Sequence, residues 1–299
     1  MQLRHIHLPD LTPYPFASQV QEHLRRTLLS AKDSPTRPPP SPTLLTFTPP
    51  PTYTLGRRQT TTPLSPQDIS RLRAPLTTRH GIFRPDLIPS PRGGLTTYHG
   101  PGQLVVWPVV DIRSPAYRNF TVRSYACLLE RTTISALGAL FGDALEGFTT
   151  QDPGVWVRSA WDGVERKVAA VGVHLRRHVT SLGTAVNLDF PGGATTAATA
   201  ATAAAEAAEG GREEVDPWAR FVPCGLEGKE ATSVAREVEG LVGARAGVIS
   251  VRCEEAMARA WAEEFARRIG VEGVQRDQVT AEELEALGVE GLFGEEEKS

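Results

Sequence analysis

Phe16, Val20, Leu24 and Leu28 recur four residues apart and predict an amphipathic helix over residues 16–29. A second helical repeat runs through Val122, Ala126, Leu129, Thr133, Leu137 and Leu140, and Gly142 is placed to stop it. A third covers residues 254–269, with Met257, Trp261 and Phe265 on its apolar side and Gly270 after it. Short apolar runs predict strands at Leu44–Phe47, Thr184–Leu188 and Val248–Val251. Residues 95–112 read as two strand segments broken by Gly100-Pro101-Gly102. Pro108 cannot donate to a ladder, so its strand is expected at a sheet edge or in a bulge. Val155–Val157 and Val168–Val173 flank Asp162-Gly163, the signature of a hairpin. Strands and helices mix without regular β-α-β alternation, which predicts an α+β fold, a mixed sheet with packed helices.

Pro35–Pro42 reads as a surface loop, and the Ala/Thr-rich residues 192–211, nearly free of large apolar side chains, as an insertion loop. With 40% hydrophobic residues, 299 residues allow one large core. The expected organisation is one catalytic domain over residues 1–275, a low-complexity insertion at about 191–216, and an acidic tail at 276–299.

Charge changes this picture locally. The formal net charge of −3 excludes the basic balance of a nucleic-acid binder. Residues 57–92, however, carry seven arginines against Asp68 and Asp86, a local +5, which can dock an acidic partner. Residues 277–299 carry −7, the mark of a solvated tail. Three cysteines, Cys127, Cys224 and Cys253, make neither a disulfide framework nor a C-x-x-C zinc half-site. No apolar run approaches the roughly 18 residues of a membrane span. The first residues lack a secretory apolar region, and Asp10 and Glu22 interrupt the basic bias of an organelle-targeting peptide.

Four short segments carry candidate chemistry. The first is Arg92-Gly93-Gly94-Leu95-Thr96-Thr97-Tyr98-His99, continued by Gly100-Pro101-Gly102-Gln103. It is either a glycine-rich turn with a satisfied histidine or a segment whose backbone a ligand can approach. The spacing of a phosphate-binding loop is absent. The second is Arg166-Lys167-Val168-Ala169-Ala170-Val171-Gly172, in which Lys167 is either a snorkelling edge residue or a functional amine. The third, Ser181-Leu182-Gly183-Thr184-Ala185-Val186-Asn187, is a strand entry of small residues. The fourth is Phe221-Val222-Pro223-Cys224-Gly225. Between Pro and Gly, Cys224 stands on a turn, where a nucleophile can be presented. Cys127, beside Leu128 and Leu129, is expected in the core. Cys253 precedes Glu254 and Glu255, whose charge disfavours a thiolate.

In this order, RGG-x-x-T-Y-H-G-P-G-Q, K-V-A-A-V-G, G-x-A-V-N and P-C-G resemble the lipoyl(octanoyl) transferase family, and Pro51–Arg57 is similar to that family's early strand and turn. The resemblance covers roughly residues 1–190 and 217–270. It implies the fold of the biotin and lipoate protein ligases. It also implies that Cys224 is an acyl-thioester nucleophile, that Lys167 activates it, and that Arg92–His99, Ala170–Gly172 and Gly183–Ala185 contact substrate. Leu182 departs from the aromatic residue or His more usual before that glycine, and 191–216 is longer than in bacterial members. With the Pro-rich loop, this expansion suggests a eukaryotic, fungal member, and such members are mitochondrial by resemblance. The implied donor is octanoyl-acyl carrier protein. The implied acceptors are lipoyl domains of 2-oxoacid dehydrogenase complexes and the glycine cleavage H protein.

The chemistry suits these residue types. A free thiol is only a few per cent thiolate at pH 7, and a nearby ammonium increases that fraction. Thioester exchange is close to isoenergetic and needs no ATP, and nothing in the chemistry calls for a metal or cofactor. The acceptor lysine must be neutral to attack, so a general base is needed, and backbone N–H groups of the glycine segments can serve an oxyanion. Two alternatives stay open: an ATP-dependent lipoate protein ligase on the same fold, and a catalytically inactive protein that binds acyl carrier or lipoyl domains.

Overall fold

A computed structural model describes residues 1–34, 39–78, 80–189, 212–221, 229–242, 251–279 and 283. The insertion 192–211, Cys224, Arg79, Pro35–Pro38, residues 248–250 of the third predicted strand and most of the acidic tail lie outside the described residues.

The strands are β1 (Leu3–Leu11), β2 (Thr43–Thr48), β3 (Thr52–Leu55), β4 (Leu76–Thr78), β5 (Gly81–Phe83), β6 (Asp86–Pro89), β7 (Thr96–His99), β8 (Gln103–Val109), β9 (Gly147–Phe148), β10 (Val155–Arg158), β11 (Glu165–Arg176), β12 (Val179–Asn187), β13 (Glu230–Ala231) and β14 (Val274–Asp277). The helices are α1 (Tyr14–Lys32), α2 (Pro66–Leu72), α3 (Val122–Phe141), the single turn α4 (Arg212–Val215), α5 (Val234–Val242) and α6 (Val251–Ile269). The main sheet runs β14-β1-β2-β8-β12-β11-β10-β9, parallel at β14-β1-β2 and antiparallel beyond. A smaller sheet, β6-β3-β7, stands beside it. The expected mixed-sheet α+β class is what the chain adopts.

Helices cover both faces of the main sheet. Helix α1 turns Phe16, Val20, Leu24 and Leu28, all buried, onto Phe47, Val105, Trp107 and Val109. Helices α3 and α6 pack on the other face through Leu129, Leu137, Met257, Trp261 and Phe265 against Val106, Val155, Val168 and Val186. Burying a large aliphatic or aromatic side chain contributes about 1.5–3 kcal/mol.

Five expectations need correction. Cys127 is exposed. Helix α3 buries Tyr125, Leu128, Leu129, Thr132, Thr133, Ala136 and Leu137, so its apolar stripe is rotated from the predicted one, and Val122 and Leu140 face solvent. Pro108 lies in a central strand, between β2 and β12. Its ring faces Gly183, where a Cβ would stand 2.8 Å from Pro108 Cδ, and the β12 ladder is interrupted there. The Thr180 hydroxyl fills the gap, donating to Pro108 O at 2.8 Å and accepting from Val110 N at 3.0 Å. The Pro108 carbonyl is therefore satisfied although the ladder is broken beside it. Val251 opens α6 rather than closing a strand. The presumed tail boundary at 276 falls inside β14, whose Arg276 and Asp277 pair with His5 and Ile6.

Candidate functional site

The first three motif segments each contribute a strand, and the fold brings them to one cavity; the fourth lies, apart from Phe221, outside the described residues. The first segment links the two sheets: β7 belongs to the smaller sheet, Gly100-Pro101-Gly102 turns the chain, and β8 enters the main sheet. Gly102 serves this turn rather than a ligand. It has φ +86°, and a Cβ there would stand 1.5 Å from Asp189 O. The second and third segments pair directly across β11 and β12, with Ala170 opposite Ala185, Val171 opposite Thr184 and Gly172 opposite Gly183.

The cavity measures about 370 Å³ and is lined by Arg92, Gly93, Gly94, Thr97, His99, Lys167, Ala170, Val171, Gly172, Gly183, Thr184 and Ala185, together with Tyr14, Arg58, Val105, Trp107, Asp152, Pro153 and Leu182. Of the anticipated substrate-contacting residues, Leu95, Thr96 and Tyr98 are not in this wall. Side chains alternate along a strand. Thr97 and His99 therefore face the cavity, while Thr96 donates to Gln59 Oε1 at 3.0 Å and Tyr98 packs with Tyr53 and Trp218. Leu182, at φ +62°, adopts a conformation a branched side chain rarely takes, and it places its side chain in the wall.

Arg92 is buried and clamps the smaller sheet, donating from Nη2 to Thr54 O at 2.6 Å and to Thr54 Oγ1 at 2.9 Å. His99 stacks on Tyr14, with 5.5 Å between ring centroids. Burial, reinforced by the Arg92 charge, holds its pKa down to about 4, so the ring is neutral at pH 7.

Lys167 sits on β11 between Trp156 of β10 and Ala231 of β13. It is an interior-strand residue, not an edge one. Its Nζ donates to Pro153 O at 2.9 Å and stands 4.8 Å from the centre of the Trp156 ring. Two residues that sequence reasoning passed over shape this position. Gly154 has φ +128°, and a Cβ there would stand 2.5 Å from Ala169 O and 3.3 Å from Lys167 Cδ and Cε. Glu130, buried in the apolar stripe of α3, accepts the Gly154 N–H at 2.9 Å. A carboxylate interrupting an apolar helical stripe was the available signal for it.

Downstream of the Pro-Cys-Gly segment the chain is described again beside Lys167. β13 pairs with Arg166 and Lys167 where β12 has ended. Thr232 N donates to Lys167 O at 2.9 Å, and Arg166 Nε binds Glu230 Oε2 at 2.6 Å. Lys229 pairs with Asp152 and also stands 5.1 Å from the Trp156 ring centre. Beneath these contacts, Gln103 Nε2 donates to Asn187 Oδ1 at 2.8 Å, and Asn187 Nδ2 donates to Thr232 O at 3.0 Å. The other cysteines stand apart: neither Cys127 nor Cys253 lines the cavity, and burial, with Glu254 adding to it, pushes the Cys253 thiol pKa up.

Residues 13–237 match the family model for the lipoyl protein ligase A/B catalytic domain. The chain is similar to the mitochondrial octanoyl-[acyl-carrier-protein]:protein N-octanoyltransferase of Danio rerio, at 31% identity over 78% of this chain and 82% of that one. It is similar to the mitochondrial octanoyltransferase of Saccharomyces cerevisiae at 35% identity, over 50% of this chain and about half (46%) of the yeast protein. Plant and bacterial octanoyltransferases also match, so the relatives extend well beyond fungi. In fold it is similar to a bipartite lipoate protein ligase of Thermoplasma acidophilum, with a TM-score of 0.55 over 96% of this chain and 89% of the other at 14% identity. The chain belongs to the lipoyl protein ligase A/B catalytic domain family.

Proposed function

We propose that this protein is a mitochondrial octanoyltransferase that moves an octanoyl group from an acyl carrier protein to a lysine of a lipoyl domain, through a thioester on Cys224. The observation that carries this reading is the convergence of Arg92–His99, Lys167–Gly172 and Gly183–Ala185 on one cavity with an amine at its wall. Val105, Trp107, Val171, Val173 and Leu182 give that wall an apolar part, and Arg58, Arg92, Asp152 and Lys167 a charged one. An eight-carbon acyl chain has seven carbons beyond its carbonyl. At about 0.8 kcal/mol per buried methylene, their burial contributes about 6 kcal/mol to binding.

In the first half-reaction the Cys224 thiolate attacks the donor's thioester carbonyl. The new C–S bond forms, the old one breaks, and the carrier leaves as its thiol after taking up a proton. In the second, the acceptor lysine's neutral amine attacks the acyl-enzyme. A C–N bond forms, the bond to Cys224 breaks, and the amine's proton passes through Lys167 to the leaving sulfur. Lys167 thus serves as charge partner in one step and as base, then acid, in the other. The acceptors are the lipoyl domains of 2-oxoacid dehydrogenase complexes and the glycine cleavage H protein.

Intact mass measured after incubation with octanoyl-carrier protein tests this. An octanoyl adduct on a peptide containing Cys224 is expected; no adduct, with activity only from free octanoate and ATP, would establish a ligase instead. Among the described residues no helix is long and apolar enough to cross a membrane.

Docking of an acidic carrier is expected at Arg57, Arg58, Arg73 and Arg84, all exposed, with Arg58 in the cavity wall. Arg71 is already engaged, since its guanidinium pairs with Glu213 at 2.5 Å. Charge reversal at Arg57 and Arg58 should raise KM for the carrier and flatten its salt dependence. A KM and salt profile equal to wild type would place docking elsewhere.

A further inference from the structure

His99 Nδ1 lies 2.7 Å from Gln103 Oε1, Gln103 Nε2 lies 2.8 Å from Asn187 Oδ1, and Asn187 Nδ2 lies 3.0 Å from Thr232 O and 3.5 Å from Lys167 O. All of these side chains are buried, Gln103 and Asn187 almost completely. A run of this kind has only one consistent set of donors. The Thr232 and Lys167 carbonyls can only accept, so Asn187 must turn its NH₂ toward them and its oxygen toward Gln103. Gln103 must then turn its NH₂ toward Asn187, and the Tyr98 carbonyl, 3.4 Å from the same nitrogen, demands this too. The Gln103 oxygen is left facing His99, so His99 Nδ1 must carry the hydrogen. The backbone carbonyls at the far end therefore determine the tautomer of a ring in the cavity wall.

We propose that Gln103 and Asn187 are positioning residues that hold His99 as its Nδ1–H tautomer, so that His99 Nε2 offers a lone pair to an N–H of the attacking lysine amine. This rests on the acyl-transfer reading above and assigns a part of its second half-reaction. His99 orients the amine but does not deprotonate it. Burial keeps the ring neutral, the Tyr14 ring covering one face and the Arg92 guanidinium repelling a proton, against the hydrogen bond to Gln103, which favours the charged ring; Lys167, Arg58 and Asp152 are the other charged groups of the same wall. The same relay reaches the Lys167 carbonyl, so the ring that orients the amine and the strand that carries the base share one framework.

Nitrogen-15 NMR of histidine-labelled full-length protein, with His99 assigned by its loss in His99→Gln, tests the tautomer without perturbing it. A protonated Nδ1 and an unprotonated Nε2 from pH 6 to 8 are expected; an Nε2–H tautomer would overturn the proposal. Two variants read the consequence by stopped-time mass spectrometry. His99→Gln can place an amide oxygen near the site of Nε2 and should deacylate within about threefold of wild type. His99→Leu should deacylate about tenfold more slowly, the worth of one hydrogen bond, with acylation by the carrier little changed. Gln103→Glu should convert His99 to the doubly protonated ring at pH 7, visible in the same spectra, and slow deacylation at least as much. Equal deacylation by His99→Leu and wild type, or a loss confined to acylation, would overturn the proposal. If wild type forms no octanoyl adduct at all, the acyl-transfer reading fails, while the tautomer measurement still stands on its own.

Discussion

Cys224→Ala should abolish octanoyl transfer and leave no acyl adduct, whereas Cys127→Ala and Cys253→Ala should keep both. Cys127 faces solvent on α3, away from the cavity, and Cys253 is partly buried where Glu254 and Asp189 disfavour its thiolate. Lys167→Ala should separate the two half-reactions. Losing the ammonium proposed to lower the Cys224 pKa should cost about tenfold in thiolate at neutral pH, equivalent to about 1.4 kcal/mol. Losing the base costs a further 10²- to 10⁴-fold, roughly, in the amine's attack. The acyl-enzyme should therefore accumulate. Lys167→Arg keeps the charge, and a guanidinium can still lie over Trp156, but it does not release a proton near neutral pH. It should acylate well and deacylate poorly. An adduct on Cys224→Ala, or normal turnover by Lys167→Arg, would show that the assigned roles are wrong.

Local signals in the sequence reached some levels of this structure and not others. Helix α1 was legible because its apolar positions keep one spacing from end to end. The hairpin β10–β11 was legible because Asp162-Gly163 requires a tight turn, and Gly163 adopts φ +71° there. The stripe of α3 was misjudged because Val122, Ala126 and Leu140 are as apolar as the residues that are buried; only packing on the sheet decides which side turns inward. β1 was not foreseen at all. His5 and His7 break its alternation, yet His5 is buried with its Nε2 2.9 Å from Thr46 Oγ1. The cavity wall could be anticipated from its motifs. The polar framework behind it could not, because Gln103 meets Asn187 across 84 residues and Glu130 meets Gly154 across 24. Such contacts exist only once β8, β12 and β11 are aligned.

Gly154→Ala should be among the most damaging small substitutions in the protein. At φ +128° an L side chain is strained, at a cost of about 1–3 kcal/mol. The new methyl would also start 2.5 Å from Ala169 O and 3.3 Å from the aliphatic stem of Lys167, so either the turn or the lysine must move. Moving the turn breaks two contacts at once: the Glu130 carboxylate loses the Gly154 N–H, and Pro153 O leaves Lys167 Nζ. Moving the lysine displaces the proposed base, and a misplacement of about 1 Å costs on the order of 10²-fold in rate. Gly163→Ala is the matching control. It shares a positive φ, +71°, in the same hairpin, but nothing lies within 4 Å of its Cβ position. It should lose about 1 kcal/mol of stability and retain full transfer. Glu130→Gln keeps an oxygen for the Gly154 N–H and should behave nearly as wild type, whereas Glu130→Ala leaves that buried donor unsatisfied at about 1–3 kcal/mol. Thermal melts and single-turnover deacylation on these four variants separate stability from lysine placement. If Gly154→Ala deacylates as fast as Gly163→Ala, the close packing of the turn on Lys167 is not what sets the position of the base.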